Sequence, residues 1–519
     1  MNPILSRLFV LISSQKFINL SSSIVFLIIS FLLLLYNSGE SPFVTEKIQY
    51  SILKILSFLI YISISIILFL FALKKSFIEK KISIFIKNIT KEKSLKTFRG
   101  FVLIMWVFTW LIFIFNFKFS TWFYGAMGIL TSHHLFSDLS ILLSQPNCVM
   151  QGLNPYESNP CNIVAMNYPF GWIYLLNFFG LKGNAWQPVL TNNSASFLIM
   201  IILVLPFLLL NLFKKLKPMG QLISSLLLIS PPFMTLILQG NNDILILTLI
   251  LLSLKIILPK KDYFSKKIFL EISNIDNLRI FCSLLIIAIC SYLKLPAIVF
   301  LVGIAYELRG SRKFFITSLL LFFLTIGGNL INIKDILANS SYPIFFSFGI
   351  PSIKNSLRWF ENPNHFNLLG LDSSLIMKFI FVASILSFTF LMLSKIRKAG
   401  HETLQILNKS SSSDRILISS GLLGFFTTFY IMPSYSLRLW ILFIPIILLS
   451  SNHKENLSIS TNSTLLPFVF AAVGASYAMP FSEYLGFIDQ PLFFSFSLFS
   501  TYVIYLYLIK PIYKNLFIN

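Results

Sequence analysis

Charged residues are scarce in this chain of 519 residues, of which Asp, Glu, Lys and Arg make up 12%. An average soluble domain carries about 25% charged residues. Hydrophobic residues make up 56% of the chain, and the mean hydropathy is +0.80. This composition excludes an ordinary water-soluble domain. Apolar runs of about 20 residues, enough to cross a hydrocarbon core of about 30 Å, recur along the chain, which predicts a polytopic membrane protein.

Regular alternation of polar and apolar residues, the pattern of membrane β-strands, is also missing. The apolar runs are rich in Leu, Ile and Phe, which favours helices. We expect an all-α transmembrane bundle of about 12 to 14 hydrophobic helices, some of them re-entrant, with about 20 residues in each full span. The expected spans lie near residues 17–36, 51–73, 100–117, 194–213, 221–238, 243–258, 314–333, 374–394, 416–432, 438–450, 463–480 and 489–509.

Two apolar stretches do not fit simple spans. A crossing by the short run 168–180 would place the basic loop 214–217 outside, so we expect a re-entrant or interfacial helix there. Residues 280–306 are interrupted at Lys294-Leu295-Pro296, and both ends lie near basic clusters. Two half-length helices meeting at this break would satisfy both ends. Irregular backbone at membrane depth survives only where it is buried in protein or lines a cavity.

Acidic residues are the scarcer charge, since 19 Asp and Glu against 41 Lys and Arg give a net charge of +22. On a soluble protein this excess would suggest nucleic-acid binding. Here the basic residues lie in short loops between apolar runs, which is how membrane topology is encoded, so we expect no nucleic-acid partner. The basic loops, expected in the cytoplasm, lie within residues 74–99, 214–217, 255–267, 309–313, 395–398 and 510–514.

Cysteine and histidine are rare, with four and five copies. His133 and His134 are adjacent and would point apart on a helix, and no Cys or carboxylate completes a ligand set at a recognisable spacing, so we expect no metal. Cys148 and Cys161 both lie in the first large outward loop. An oxidising compartment permits a disulfide there, worth about 3 kcal/mol; two unpaired thiols are the alternative.

Four polar features share the outer face of this topology. They are Asp138 after the third span, the turn Gln239-Gly240-Asn241-Asn242-Asp243, Lys294 at the helix break, and Arg438 where a late span re-enters. A carboxylate can accept a proton from a hydroxyl, and cations can hold a phosphate whose charge grows as it leaves. Lys and Arg near membrane depth are costly and usually functional.

Most of these features also have a plainer interpretation. Asp138 can be the N-cap of a helix that starts at Leu139. Lys294 can extend its ammonium group to the membrane interface, and residues 239–242 can form an ordinary polar turn. Arg438 at a helix start opposes the helix dipole, so a local structural role is less natural there.

The order of these motifs resembles that of GT-C superfamily membrane glycosyltransferases. It is most similar to glycosyltransferase family 87, the polyprenol-phosphate-mannose-dependent mannosyltransferases. The matching stretches, within residues 100–450, are Asp138, Gly152-Leu-Asn-Pro-Tyr156, Tyr168-Pro169, Gln239-Gly-Asn-Asn242, Leu293-Lys-Leu-Pro296 and Tyr435-Ser-Leu-Arg-Leu439. The chain departs from the family where Phe170 follows Tyr168-Pro169 in place of a second proline, and in its two extra N-terminal spans.

The resemblance implies inverting transfer of mannose or a similar hexose from a polyprenyl phosphate to a lipid or glycan acceptor on the outer face. Asp138 would be the general base, and Lys294 and Arg438 would bind the donor phosphate. The polyprenyl-phosphate sugar is a substrate, and no further cofactor is implied. The residues implied in substrate binding are His134, Asn154, Tyr156, Tyr168, Gln239, Asn241 and Asn242.

The same resemblance divides the chain into three parts. Residues 1–99 would be a two-span extension with a basic cytoplasmic loop, 100–450 the GT-C-like catalytic module with its long first outward loop, and 451–519 a two-span C-terminal segment. Heavy use of Ile, Lys, Phe and Asn indicates an AT-rich genome, so we expect the inner membrane of a bacterium, with the site facing the periplasm.

A lipid or glycan transporter or flippase is the main alternative, because it would also have broken helices and ions near the membrane midplane. The chain has no internal repeat, which counts against it. A long outward loop rich in Pro and Asn also suits a site at the membrane surface better than an alternating pathway. A structural scaffold without activity is the third alternative.

Overall fold

The computed structural model describes residues 84, 87–115, 136–157, 165–166, 168–183, 204–205, 208–213, 215–258, 274–339, 347–348, 350, 353–354, 357, 367–368, 371–372, 374–430, 434–435, 439–452, 464–478 and 482–517. Helices dominate these ranges. The predicted spans 17–36 and 51–73, and most of 194–213, lie outside the described residues.

The helices are numbered in chain order. They are α1 Glu92–Phe115, α2 Ser137–Met150, α3 Gly171–Phe178, α4 Pro218–Leu228, α5 Pro231–Leu238, α6 Asp243–Leu252, α7 Asn274–Leu293, α8 Val299–Glu307, α9 Arg312–Leu330, α10 Ile333–Asn339, α11 Ser374–Lys409, α12 Ser412–Tyr430, α13 Trp440–Asn452, α14 Leu466–Ala478, α15 Ser482–Ile504 and α16 Lys510–Phe517. Single turns of other helix types are the π-helical Ser253–Ile257 and Tyr505–Ile509 and the 3-10 turn Leu295–Ile298.

The described strands are two residues long and form two antiparallel pairs. The strand β1 Ser347–Phe348 pairs with β4 Ser434–Tyr435. The strand β2 Asn367–Leu368 pairs with β3 Leu371–Asp372. The first pair joins the long connection before α11 to the connection before α13.

Several helices have the length and apolar composition of a membrane span. Among the described residues these are α7, α9 and the stretch Gln490–Tyr513, and the bent pair α4–α5 makes a fourth if it is counted as one span. Large apolar side chains cover the outside of α9, where Phe323 and Leu324 are 65% and 61% exposed. Such surfaces are unusual against water and ordinary against lipid. The helical character predicted from composition is therefore confirmed.

The predicted span 221–238 is not one straight helix. Helix α4 ends at Leu228, α5 begins at Pro231, and the two are bent by 55°. Ser230 between them has an extended backbone, with φ −68° and ψ 145°. A proline disfavours helix at the residue before it and removes a backbone donor, so the Pro231-Pro232 pair causes the break.

The prediction for residues 280–306 was partly wrong. The break lies at Lys294 as predicted, but the first arm, α7, is a full-length helix of 20 residues. The second arm is shorter and consists of the 3-10 turn Leu295–Ile298 followed by the nine-residue helix α8. A run of apolar residues marks the part of a helix that meets lipid, and α7 begins before that run does.

Helix α11 also exceeds its prediction. The span was expected to cover the apolar run 374–394 and to end with it. The helix instead continues to Lys409 and has 36 residues. Residues 395–409 contain no proline and several good helix formers, so nothing in them stops the helix. Hydropathy located the membrane-length part and not the end of the helix.

Small residues let the helices approach closely, as is common in membrane bundles. A Cβ added to Gly303 of α8 would lie 2.0 Å from Ser420 Oγ of α12. A Cβ added to Gly424 would lie 2.5 Å from Ile441 Cγ2 of α13. These contacts set α12 between α8 and α13 in the core.

The course of α6 and α7 shows which residues lie at each end of the bundle. Helix α6 starts at Asp243, and the π-turn after it ends at Ile257. There Arg279, near the start of α7, donates from Nε to the Ile257 carbonyl at 2.8 Å. Helix α7 then returns to Lys294. Asp243 and Lys294 therefore lie at the same end, called the Asp138 end because Asp138 contacts the turn before α6.

A buried ion pair holds the opposite end, called the Glu307 end. Arg415 Nη2 lies 3.0 Å from Glu307 Oε2, and both side chains are almost fully buried. The Tyr507 hydroxyl donates to Glu307 Oε1 at 2.6 Å. Lys255 pairs with Asp414 next to this network. These contacts join α8, α12 and both π-turns.

Candidate functional site

Helix α2 places Asp138 in its first turn. The helix begins at Ser137, and its N-cap is Phe136, which makes no side-chain capping bond. The interpretation of Asp138 as the N-cap of a helix starting at Leu139 is therefore wrong. The Phe136 side chain is fully buried. Its backbone has the left-handed conformation, with φ 60° and ψ 37°. Non-glycine residues are held there at a cost, and such strain clusters at functional sites.

Backbone hydrogen bonds join the start of α2 to the turn between α5 and α6. Phe136 N donates to Leu238 O at 2.8 Å, and Asp138 N donates to Gln239 O at 2.9 Å. Leu139 N lies 3.4 Å from the same Gln239 oxygen. The first N–H groups of a helix have no partner within the helix. Carbonyl groups from far along the chain satisfy them here, and this junction fixes Asp138 against the turn.

Gly240 makes the junction possible. Its φ is +63°, and an added Cβ would lie 2.9 Å from Phe136 Cδ1 and 3.1 Å from Leu139 Cβ. A side chain at this position would therefore be strained in the backbone and would also collide with α2.

We expect Gly240→Ala to lower the free energy of unfolding by about 1–2 kcal/mol for the left-handed backbone and by about 1–3 kcal/mol more for the collision. Gly180→Ala is the matched control, because Gly180 has φ +65° with nothing within 4 Å of an added Cβ. Thermal unfolding of the detergent-solubilised variants measures the difference. Equal losses in the two variants would show that the junction is not tightly packed.

The pKa of the Asp138 carboxyl is raised toward neutral pH. Asn241 Nδ2 donates to Asp138 Oδ2 at 2.6 Å, and Asn241 Oδ1 accepts from Asp243 N at 3.0 Å, which fixes the amide orientation. Burial raises the pKa of Asp138 from its ordinary 3.8 to about 6, against the hydrogen bond from Asn241 and the charge of Lys294. Asp138 lies outside the membrane-length helices. Such a carboxyl can take up a proton at physiological pH.

Lys294 stands at the break between α7 and the following 3-10 turn, with an extended backbone. Its Nζ lies 2.6 Å from Asp243 Oδ1, and the two side chains are 10% and 1% exposed. Nζ also lies 4.6 Å from the centroid of the Tyr168 ring. A carboxylate and an aromatic face thus fix the position of the ammonium group.

Two further contacts support this arrangement. The Tyr156 hydroxyl donates to the Tyr168 carbonyl at 3.1 Å. Trp172 Nε1 donates to the Leu293 carbonyl at 2.9 Å, which ties α3 to the end of α7. The loop after α2 and the helix break are therefore held together around the lysine.

Buried polar atoms without a partner lie beside Asp138. Among the described residues, neither Nδ2 nor Oδ1 of Asn242 has a hydrogen-bond partner, and neither does Oγ of Ser137. The two residues are only 3% and 6% exposed. A buried polar atom left without a partner costs about 1–3 kcal/mol. Native proteins rarely keep such atoms, and a functional role is one explanation for them.

The structure brings four predicted site residues together: Asp138, Asn241, Lys294 and Tyr168. Gln239 joins them through its backbone carbonyl. Two others shape the loop: Asn154 accepts from Tyr156 N at 3.0 Å and donates to Glu157 at 2.8 Å, and Tyr156 supports Tyr168.

Other predicted residues lie outside the described part of the chain. These are Arg438, His134 and Cys161. Cys148 is disulfide-bonded, whereas Cys282 and Cys290 are free thiols. Cys148 lies in α2, the helix that carries Asp138.

Asp243 and Ser137 were not predicted as site residues. Asp243 is the last residue of the predicted polar turn 239–243. The sequence could have indicated its role, because Lys294 in an apolar stretch needs a counter-ion. Ser137 precedes Asp138, and no pattern in the sequence distinguishes it from other serines.

No group of three or more His, Cys, Asp or Glu side chains that could hold a metal ion occurs among the described residues. The polar groups gathered here suit other ligands. A proton acceptor, a cation and uncharged amide groups can serve a hydroxyl, a phosphate and further hydroxyls respectively.

No protein-family model, no curated protein and no solved structure matches this chain.

Proposed function

We propose that the protein is an integral-membrane glycosyltransferase of the GT-C type. It moves a hexose such as mannose from a polyprenyl phosphate to the hydroxyl of a lipid or glycan acceptor. The observation that supports this most is the joining of Asp138, Asn241 and Lys294 at one end of a bundle with membrane-length helices. A proton acceptor next to a cation, at the end of an apolar bundle, suits a lipid-linked phosphate as leaving group.

Asp138 is the general base of the proposed reaction. The acceptor oxygen attacks the anomeric carbon of the sugar, and the hydroxyl proton passes to the Asp138 carboxylate. The hydrogen bond from Asn241 fixes the orientation of the Asp138 carboxylate. The raised pKa of Asp138 suits this carboxylate to accept the proton. A base works best when its pKa lies near the working pH.

Lys294 stabilises the leaving group. The bond between the anomeric carbon and the phosphate oxygen breaks, and its electron pair stays on the phosphate, so negative charge grows there. A fixed ammonium group at that point lowers the barrier because it needs no reorganisation during the reaction. An ammonium carries three N–H donors and can serve a carboxylate and a phosphate together.

The site faces the outside of a bacterial inner membrane in this proposal. Several basic side chains, among them Lys255, Arg279 and Arg415, lie at the Glu307 end, and short basic loops remain in the cytoplasm. The Asp138 end then lies on the other side. A disulfide-bonded Cys148 fits an oxidising compartment there.

Asn242 is the proposed contact to sugar hydroxyls, because its amide offers both donors and an acceptor with no partner among the described residues. We expect Asn242→Leu to raise the free energy of unfolding by about 1–3 kcal/mol, since it removes those buried atoms. Transfer should fall about 10- to 100-fold, because a lost hydroxyl contact of about 1.4–3 kcal/mol corresponds to that factor. Thermal unfolding and initial rates of the purified variant measure both effects.

Thr403→Val is the matched control for Asn242→Leu. Thr403 is fully buried on α11, and its Oγ1 also has no partner among the described residues. Valine should stabilise the protein at this position while the transfer rate stays unchanged. An Asn242→Leu variant with full turnover, or with lowered stability, would remove Asn242 from substrate binding.

The proposed activity is tested by reconstituting the purified protein with a panel of radiolabelled hexosyl phosphoryl polyprenols and a membrane lipid extract. We expect label in an acceptor lipid or glycan, together with an equal amount of released polyprenyl phosphate. Movement of the intact donor across the bilayer without bond cleavage would instead establish a flippase. Absence of transfer from every donor in the panel would contradict the proposal.

A further inference from the structure

Asp138 and Asp243 are carboxylates with different surroundings at the Asp138 end. Asp138 is partly accessible and hydrogen-bonded to the Asn241 amide, whereas Asp243 is 1% exposed and ion-paired with Lys294 at 2.6 Å. The Asn241 side chain connects them, since it donates to Asp138 and accepts from the backbone N–H of Asp243. Two carboxylates in one site that differ in this way commonly have different chemical roles.

Lys294 acts on both carboxylates. It is paired directly with Asp243, and its charge also acts on Asp138. Among the described residues, the charged groups that act on Asp138 are Lys294 and Asp243, and the titratable ring of Tyr168 lies against Lys294. The position of the Lys294 ammonium relative to the two carboxylates therefore contributes, after burial and the Asn241 hydrogen bond, to how readily Asp138 takes up a proton.

We propose that Asp243 is a positioning residue: its carboxylate holds Lys294 away from Asp138, so that Asp138 remains able to accept a proton. This role rests on the proposed transferase function. In the proposed reaction, Asp243 itself contacts neither the acceptor oxygen nor the anomeric carbon. Without Asp243, the ammonium would act on Asp138 uncompensated and hold it as a carboxylate.

The electrostatics agree with this division. Burial is the main cause of the raised pKa of Asp138, the negative charge of Asp243 adds to it, and the positive charge of Lys294 opposes it. Removing Asp243 removes a charge that raises the pKa of Asp138 and leaves the opposing charge in place. A cation close to a carboxyl lowers its pKa by about 1–3 units.

The test is the protonation midpoint of Asp138, measured by infrared difference spectra of the full-length protein in lipid nanodiscs. Subtraction of the Asp138→Asn spectra assigns the carboxyl signal. We expect a midpoint near pH 6 in the unsubstituted protein, and in Asp243→Asn a midpoint lower by about 1 unit. Asp243→Glu should restore the original midpoint, because it restores the carboxylate.

Asp414→Asn is the matched control. It breaks the ion pair with Lys255 at the Glu307 end, so it removes a salt bridge without touching the site. We expect its Asp138 midpoint to match that of the unsubstituted protein. A midpoint in Asp243→Asn that is unchanged or higher would overturn the positioning role.

Transfer rates separate this inference from the proposed function. In Asp243→Asn the acidic limb of the pH–rate profile should move to lower pH with the midpoint, and the maximal rate should fall roughly 3- to 10-fold because the base is weaker. A donor-dependent rate that does not change in this variant would overturn the inference and leave the transferase function standing. A shifted midpoint without transfer from any donor would overturn the function instead.

Discussion

Asp138→Asn should lower the rate of sugar transfer by about 10²- to 10⁴-fold, the usual contribution of a general base. Asparagine can still accept the hydrogen bond from Asn241, so the junction between α2 and the turn should survive. It cannot take a proton from the acceptor. Initial rates with a hexosyl phosphoryl polyprenol measure the loss, and a variant with full turnover would remove Asp138 from the mechanism.

The same substitution should stabilise the protein near neutral pH. The folded pKa of Asp138 is raised to about 6 from 3.8, so folding disfavours the carboxylate form. The penalty is fully present above pH 6 and vanishes below the unfolded value. We therefore expect Asp138→Asn to raise the free energy of unfolding by about 1–3 kcal/mol at pH 7.5, and the gain should disappear near pH 4. Thermal unfolding at the two pH values measures it.

Asp276→Asn is the matched control for both effects. Asp276 is also a carboxylate in the first turn of a helix, but α7 begins at the Glu307 end. Removing it should cost about 0.3–1 kcal/mol through the helix dipole and leave transfer unchanged. A gain in stability in this control would mean that the gain in Asp138→Asn is not caused by burial of the site carboxylate.

Lys294→Met should have the second large effect. It should lower the transfer rate by about 10²- to 10³-fold, because it removes fixed positive charge from the leaving phosphate. It should also destabilise the protein by about 3–5 kcal/mol, because it leaves the buried Asp243 carboxylate without its counter-ion. Rates and thermal unfolding of the same preparation measure both.

A double variant separates the two consequences of losing Lys294. Lys294→Met combined with Asp243→Leu removes both charges, and replacing a buried ion pair with apolar residues is often neutral or stabilising. We expect this protein to regain stability and to remain inactive. If turnover returned with stability, Lys294 would be a structural residue and not a group that acts on the phosphate.

Much of the fold could be predicted from local patterns. The apolar runs located most of the described helices, and the lysine and proline at 294–296 located the break after α7. The bend at Pro231 was missed because hydropathy averages over a window, although the rule for residues before proline would have found it. The full length of α11 was missed because its last turns leave the apolar region and continue as helix.

The pairing within the site could not be predicted in the same way. The junction between Asp138 and Gln239 and the ion pair between Asp243 and Lys294 join residues far apart in the chain. Such contacts depend on how α2, α6 and α7 pack, which no local pattern encodes. The buried amide of Asn242 is even harder to predict. Its polar atoms have no hydrogen-bond partner among the described residues, and only the packing of the folded chain determines this.

One helix carries both the proposed general base and a covalent link. The 14-residue α2 holds Asp138 in its first turn and the disulfide-bonded Cys148 near its end. On the proposed orientation, that bond forms only after the loop has been exported across the membrane. Completion of the site is then coupled in time to translocation. In chain made without access to an oxidant, the far end of α2 would be held by the hydrogen bonds that Leu143 and Asn147 make with Gly183, without the covalent link.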